Sequence, residues 1–284
     1  MMIPAYSFNQ KPDCFRVAGL PLFQNQQNGE RKMRRTDLSH IDPLADVTKV
    51  PLYTPEGAQS SREAIILDPE GANQEVGVVS KDYQLVPNQE VVQIAEEVLE
   101  RAELEYTLAK HLFDGRRFRQ RWIVPELAAE PAVGDVIQVA IDVFNSYDGT
   151  STFGLAFNAQ RLACTNGMVV DFLLGGFRFR HYGNEEFQEE LSWAAQRIRE
   201  LGPKMLQLAP TIQQMMEQPV TRIDIQALLK KIDLPKTYAA DVFMDLDGDT
   251  EWHLYNAFTG VLTRLESFRA EGWNRAVSRV FFQN

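Results

Sequence analysis

The chain has 284 residues, 44% of them apolar and 24% charged, with a formal net charge of −10. That length suits one large domain or two ordinary ones, and that balance excludes a globally disordered chain and a disulfide-held miniprotein. An acidic total is not the usual profile of a nucleic-acid binder, although binding depends on local clusters rather than on the sum.

Along the chain, the opening residues show neither the basic head nor the apolar core of a signal peptide. No apolar run approaches the roughly 20 residues of a membrane span. The two cysteines, Cys14 and Cys164, lie far apart and outside metal-ligand spacing, so a cytoplasmic protein with free thiols is expected. Residues 1–47 have little periodicity. They carry a Gln/Asn run at 24–28 and a basic knot, Arg31, Lys32, Arg34 and Arg35. They read as a flexible N-terminal arm, solvated or in contact with phosphates or a neighbouring subunit.

Short strands are expected at 50–53, 63–68, 75–80 and 83–86, broken by the turn residues Pro55, Gly57, Pro69 and Gly71. Pro87 and Asn88 open a helix over 88–103, with Asn88 as N-cap and Val91, Ala95, Val98 and Ala102 at helical spacing. Its other side carries Glu96, Glu97, Glu100 and Glu103. The period then changes to two. Segments 105–113, 116–124, 136–145 and 153–164 read as an antiparallel meander, with turns at Asp114-Gly115, at 125–135 and at Tyr147-Asp148-Gly149. Residues 177–182 offer one more strand. From Asn184 a helical stripe runs through Phe187, Leu191, Ala194, Ile198 and Leu201, with interruptions at Pro203 and Pro210. Further helices are expected at 222–231, 235–243 and 251–268. The class is α+β, an antiparallel meander packed against helices: a mainly antiparallel sheet with one helix over 48–182, and a helical C-terminal region over 183–284 packed on the sheet in one continuous domain.

A catalytic site is not apparent. There is no Gly-rich phosphate loop, nucleophile elbow or zinc-protease helix motif, and His40, His111, His181 and His253 are scattered. Cys164 reads as a small buried residue at a strand end, followed by a turn at Asn166-Gly167 in which the glycine takes positive φ. An enzyme with a site near Cys164 and Asn166 is the alternative. Asp245, Asp247 and Asp249 resemble a fragment of a calcium loop, but the twelfth position is Asn256. The plainer reading is acids at a helix start, with Asp249 or Thr250 as cap. No cofactor and no catalytic residue is expected.

The most informative segment carries Lys110, Arg116, Arg117, Arg119 and Arg121 against one acid, Asp114. On a strand, Arg117, Arg119 and Arg121 share one face, and Phe118, Gln120 and Trp122 share the other. A row of arginines is awkward to bury and natural to offer to a polyanion. A second alternation, Phe177-Arg178-Phe179-Arg180, follows. Single-strand binders combine a basic track with aromatic platforms. The expected nucleic-acid-binding set is therefore Lys110, Arg116, Arg117, Arg119, Arg121, Arg178 and Arg180. The competing reading is half-buried strands whose arginines pair with the abundant acids.

The run Val78-Val79-Ser80-Lys81-Asp82-Tyr83-Gln84-Leu85-Val86-Pro87-Asn88-Gln89-Glu90 resembles the hallmark V-V-x-x-x-Y-x-x-V-x-N-x-E of a family found in phages, plasmids and bacterial genomes, domain of unknown function 932. Tyr53-Thr54-Pro55-Glu56-Gly57, the stretch from Arg161 to Met168, and the stretch from Trp252 to Thr259 also resemble that family, so the likeness covers about residue 49 to the C-terminus. The element order, a helix, an antiparallel meander and a long helix, is similar to the core of ring-forming single-strand annealing proteins. That resemblance implies a non-enzymatic, homo-oligomeric protein that binds single-stranded nucleic acid and acts in recombination or annealing. The alternatives are a protein-interaction or host-defence antagonist factor with an acidic surface, and the enzyme above.

Overall fold

The computed structural model describes residues 16–17, 41–68, 73–132, 135–161, 167–182, 187–222 and 225–283. Cys164, Asn166, His40 and the basic knot of the arm lie outside these. Four strands, β1 (Arg16–Val17), β2 (Val47–Tyr53), β3 (Gln59–Leu67) and β4 (Gln74–Ser80), form an antiparallel sheet in chain order. Helix α1 (Asn88–Arg101) leads into the meander of β5 (Thr107–Phe113), β6 (Arg117–Ala132), β7 (Asp135–Ser146) and β8 (Phe153–Arg161). Two short strands, β9 (Gly167–Met168) and β10 (Gly176–Phe179), both pair with the free side of β8, separated by the short helix α2 (Asp171–Leu174). The second sheet thus runs β10-β8-β7-β6-β5 with β9 beside β8, all antiparallel. The helical part comprises α3 (Phe187–Arg199), α4 (Leu201–Met205), α5 (Ala209–Glu217), α6 (Ile225–Ile232), α7 (Lys236–Met244), α8 (Glu251–Arg264) and α9 (Phe268–Phe282). The α+β architecture with a helical C-terminal part is as the change of period predicts. No helix among the described residues is long and apolar enough to cross a membrane.

Four local expectations are corrected. Residues 83–86 form no strand, because Tyr83 plugs into the core and its hydroxyl donates to the Ser146 carbonyl at 2.6 Å. The expected turn at 125–135 is largely a continuation of β6, whose register shifts between Val124 and Ala128 absorb Pro125. Pro87, not Asn88, is the N-cap of α1. The Asn88 backbone N–H donates instead to the Tyr147 hydroxyl at 2.8 Å, which leaves the Asn88 side chain free to donate to the Pro43 carbonyl at 2.7 Å. The helix expected over 251–268 stops at Arg264, and α9 starts anew from Ser267, whose hydroxyl accepts from the Ala270 N–H.

One face of the large sheet is apolar. Phe118, Trp122 and Val124 of β6 lie on it, with Ile137, Val139, Ile141 and Val143 of β7 and Leu155 and Phe157 of β8, all nearly inaccessible. Helix α1 covers this face through Val91 and Ile94 against Phe153, Leu155, Phe177 and Phe179. Helices α4 and α5 pack on β6, and Ala194, Ile198 and Leu201 of the predicted stripe are completely buried. Tyr106 stacks on Trp122 with ring centroids 4.1 Å apart.

The small sheet meets the large one at the β7–β8 turn. The side chain of Asn145 donates to the Val86 carbonyl at 2.8 Å and to Asn88 Oδ1 at 2.9 Å, so β7, the 83–86 segment and the start of α1 are one hydrogen-bonded joint. Gly77 of β4 lies against the same turn: a Cβ there would sit 2.1 Å from the Tyr147 carbonyl oxygen. Backbone cannot yield as a flexible side chain would. Gly77→Ala is therefore expected to lower unfolding free energy by about 1–3 kcal/mol, the usual range for an overpacked site, measured by urea denaturation. Gly57→Ala, whose Cβ would meet nothing within 4 Å, is the comparison; its cost comes from its positive φ alone.

Candidate nucleic-acid interface

The second face of the large sheet is polar. Register aligns Lys110, Arg121, Asp142, Ala156 and Gly176 in one row across β5, β6, β7, β8 and β10. The next row is Leu112, Arg119, Phe144, Gly154 and Arg178. Since side chains alternate along each strand, Lys110, Arg117, Arg119, Arg121 and Arg178 all project from the same face. The two basic–aromatic segments, far apart in sequence, belong to one surface.

What covers that surface divides the predicted set. Arg121 is only 3% exposed, and its guanidinium forms a two-point pair with Asp142, at 2.7 Å from Nε to Oδ1 and 2.8 Å from Nη2 to Oδ2. The same Nη2 reaches Glu271 Oε2 at 3.2 Å. Glu271 comes from the first turn of α9 and gathers two more cations: Arg119 Nη1 at 3.4 Å and Lys110 Nζ at 3.1 Å. Lys110 also donates to the Thr263 carbonyl at the end of α8, and Asn158 donates to Asp142 at 2.8 Å. Burial alone would raise the Glu271 carboxyl, but Arg121, Arg119 and Lys110 overcome it and hold the carboxyl down at about 2. Burial likewise opposes charge on Arg121, and Asp142 and Glu271 more than restore it. Arg121, Arg119 and Lys110 are thus occupied inside the protein. The arginine row could be buried because two carboxylates went in with it.

Gly167 of β9 completes this cluster. Its N–H donates to Thr263 Oγ1 at 3.1 Å, its carbonyl accepts from Asn274 of α9 at 2.8 Å, and a Cβ on it would lie 2.3 Å from Arg121 Nη1. Its φ is not in the left-handed region, which corrects the expectation of a positive-φ glycine. Glycine is needed for the close approach of a guanidinium.

The rest of the set lies at the margin. Arg117 is 41% exposed at its side chain, pairs with Asp114 at 2.7 Å, and sits 4.5 Å over the ring of Phe268. Arg116, Arg178 and Arg180 are exposed. The Arg178 guanidinium lies 5.1 Å over Phe144, its neighbour but one in the row. Phe118 and Trp122 are each 1% exposed and belong to the core. Among exposed aromatics are Tyr182, 48% exposed just beyond β10, and Trp193, 59% exposed on α3. Sequence reasoning singled out neither, although Trp193 lies off the apolar stripe of its helix. It also missed Glu271, which lies in the helix it did not foresee. Asp142, a lone acid in an apolar strand, was a legible sign of an internal cation.

The other candidates are elsewhere. Asp245 pairs with Arg264, and Thr250 caps α8 by accepting from the His253 N–H. Among the described residues no group of three or more His, Cys, Asp or Glu side chains is arranged to hold a metal. His181 is buried, stacked on Tyr83 with centroids 4.4 Å apart, and burial lowers its pKa.

The chain belongs to the family described as Domain of unknown function (DUF932), whose model matches residues 75–280. No curated protein and no solved structure matches it. Several residues that carry the family resemblance serve the framework. Tyr83 and Asn88 make the joint at the β7 end, Gly167 accommodates Arg121, and Trp252 donates through Nε1 to Asp135 at 3.0 Å.

Two outcomes follow for stability. The Glu271 carboxyl titrates lower in the folded chain than its ordinary value of 4.5, so its contribution is complete above about 4.5 and is lost as pH falls toward about 2. The stability advantage of the wild type over Glu271→Gln should accordingly shrink as pH falls through that window, as read by denaturant titration at stepped pH. Gly167→Ala should cost about 1–3 kcal/mol at neutral pH, through displacement of Arg121.

Proposed function

We propose that this family member is a non-enzymatic nucleic-acid-binding protein that holds single strands by their phosphates along the margin of the polar face, through Arg116, Arg117, Arg178 and Arg180. One observation carries the reading: the strand register that sets Arg178 two strands from Phe144 and three from Arg119 makes both basic–aromatic segments part of one surface. The buried cluster beneath has three cations against two carboxylates, a surplus of one positive charge. The acidic side of α1 does not oppose this. That helix packs on the apolar face, so Glu96, Glu97, Glu100 and Glu103 lie on the other side of the sheet. A chain with net charge −10 can thereby carry a local basic strip. Assembly into a homo-oligomer would repeat that strip and lengthen the track, and a role in recombination or annealing of a mobile element's DNA fits such a protein. A second reading, a protein-interaction factor, is favoured by Phe243 and Met244, which are 50% and 83% exposed beside the acids at 245–249.

Binding through phosphates should be largely independent of sequence and steeply dependent on salt. In anisotropy titrations with labelled oligo(dT), replacing Arg178 and Arg180 by Gln should reduce the slope of log K against log salt by about 0.7 for each phosphate left without its cation. Arg121→Gln does not test the reading, since it breaks the internal cluster. Equal affinity of the folded double variant and the wild type at low salt would end the proposal and leave the interaction reading ahead.

A further inference from the structure

We infer that the hollow on α3 beside the edge strand β10 receives one unstacked nucleobase of the bound strand; the inference rests on the single-strand reading above and names its base-contacting site. The hollow has a volume of about 380 Å³, and its described lining is Trp193, Gln196, Arg197 and Glu200. That is near the lower end of the roughly 300–1,000 Å³ typical of small-ligand sites. It is open to solvent, and its described lining is one face of α3.

The chemistry of the lining selects the ligand. Trp193 offers a large ring to solvent, 59% exposed, where Trp122, Trp252 and Trp273 are 1%, 4% and 8% exposed. A base has a π-face whatever its identity, so it can stack on an aromatic side chain without sequence preference. Gln196 Nε2 donates to Glu200 Oε1 at 3.3 Å, so the polar side of the hollow holds an amide and a carboxylate, a donor and acceptors of the kind that meet base edges. The Glu200 charge repels phosphate from the hollow itself. Arg197, one turn after Trp193, is braced with its guanidinium 4.6 Å over the ring of Phe177 in β10, and supplies the cation for the adjoining phosphate.

Position supports the assignment. Arg178, Arg180 and Tyr182 alternate along and just beyond β10, all exposed, with Phe179 and His181 buried between them. Because β10 is an edge strand, a single strand held at Arg178 and Arg180 that reaches Arg197 passes round that edge to the side on which α3 packs against α1, where Arg199 pairs with Glu103.

The test uses the full chain, oligo(dT), and an abasic oligonucleotide of equal length that carries the same phosphates without bases. Trp193 is the tryptophan solvent reaches, so oligo(dT) should quench the intrinsic fluorescence and the abasic strand should not. Trp193→Ala should weaken oligo(dT) binding about tenfold and leave abasic binding unchanged, and Trp193→Phe should restore most of the affinity. Wild-type protein that binds both strands equally, without quenching, overturns the base site and leaves the phosphate reading standing. Failure to bind either strand at low salt removes both. Fluorescence that depends on protein concentration with no nucleic acid present, and is unaffected by oligo(dT), would assign Trp193 to contact between copies and overturn the proposal.

Discussion

The Arg121–Asp142–Glu271 cluster is the constraint on which the arrangement of this protein depends. Three guanidinium and ammonium groups on two adjacent strands would be costly to cover with helices unless carboxylates came with them. Asp142 enters from the neighbouring strand, and Glu271 comes from a helix 150 residues beyond Arg121 in the chain. Through Lys110, Thr263, Gly167 and Asn274 the same cluster ties the edge strand β5, the end of α8, the short strand β9 and the start of α9 to the middle of the sheet. Removing one partner of such a cluster leaves a charge buried without compensation, typically at a cost of about 3–5 kcal/mol. The cluster therefore specifies one docking of α9 more than it contributes net stability.

A second, uncharged joint serves the other end of the sheet. Asn88 begins a helix without capping it, and the Tyr147 hydroxyl takes the cap's place by accepting its N–H. That frees the Asn88 side chain to bind Pro43 and Asn145, and Tyr83 anchors the preceding loop on Ser146. Of the residues by which the family resemblance is recognised, Tyr83 and Asn88 lie in this joint and Gly167 lies against Arg121. The spacing of Tyr83 and Asn88 matches hydrogen-bond geometry at the meeting of the two sheets.

The two joints leave a molecule with an apolar sheet face under α1, α4 and α5 and a polar face pinned by α9. Charge that is neutralised at the centre of the polar face is exposed at its rim, where Arg116, Arg178 and Arg180 face solvent. Tyr182, just beyond β10, and Trp193 on α3 are exposed rings, and the proposed single-strand reading draws on both. The acidic residues of α1 lie across the sheet from the exposed arginines, so the net charge of the whole does not describe the polar face.

Much of the fold was legible because it is written in local periodicity. The change from period 3.6 to period two after Arg101, the Asp114-Gly115 turn, and the Phe118/Trp122 against Arg119/Arg121 alternation determine an antiparallel meander with one apolar and one charged face. The boundaries that failed were those where tertiary partners replaced local ones: Tyr147 for the cap of α1, a bulged β6 in place of the turn at Pro125, and the break at Ser267 between α8 and α9. The identity of the exposed arginines was decided only by the tertiary structure. Alternation assigns a residue to a face of a sheet, whereas burial depends on what packs on that face. Here the cover is a carboxylate from a remote helix, set by long-range packing that no short window of sequence contains. Trp193 is the opposite case: it lies off the Phe187-Leu191-Ala194-Ile198-Leu201 stripe of its helix, so helical period alone places its ring away from the core.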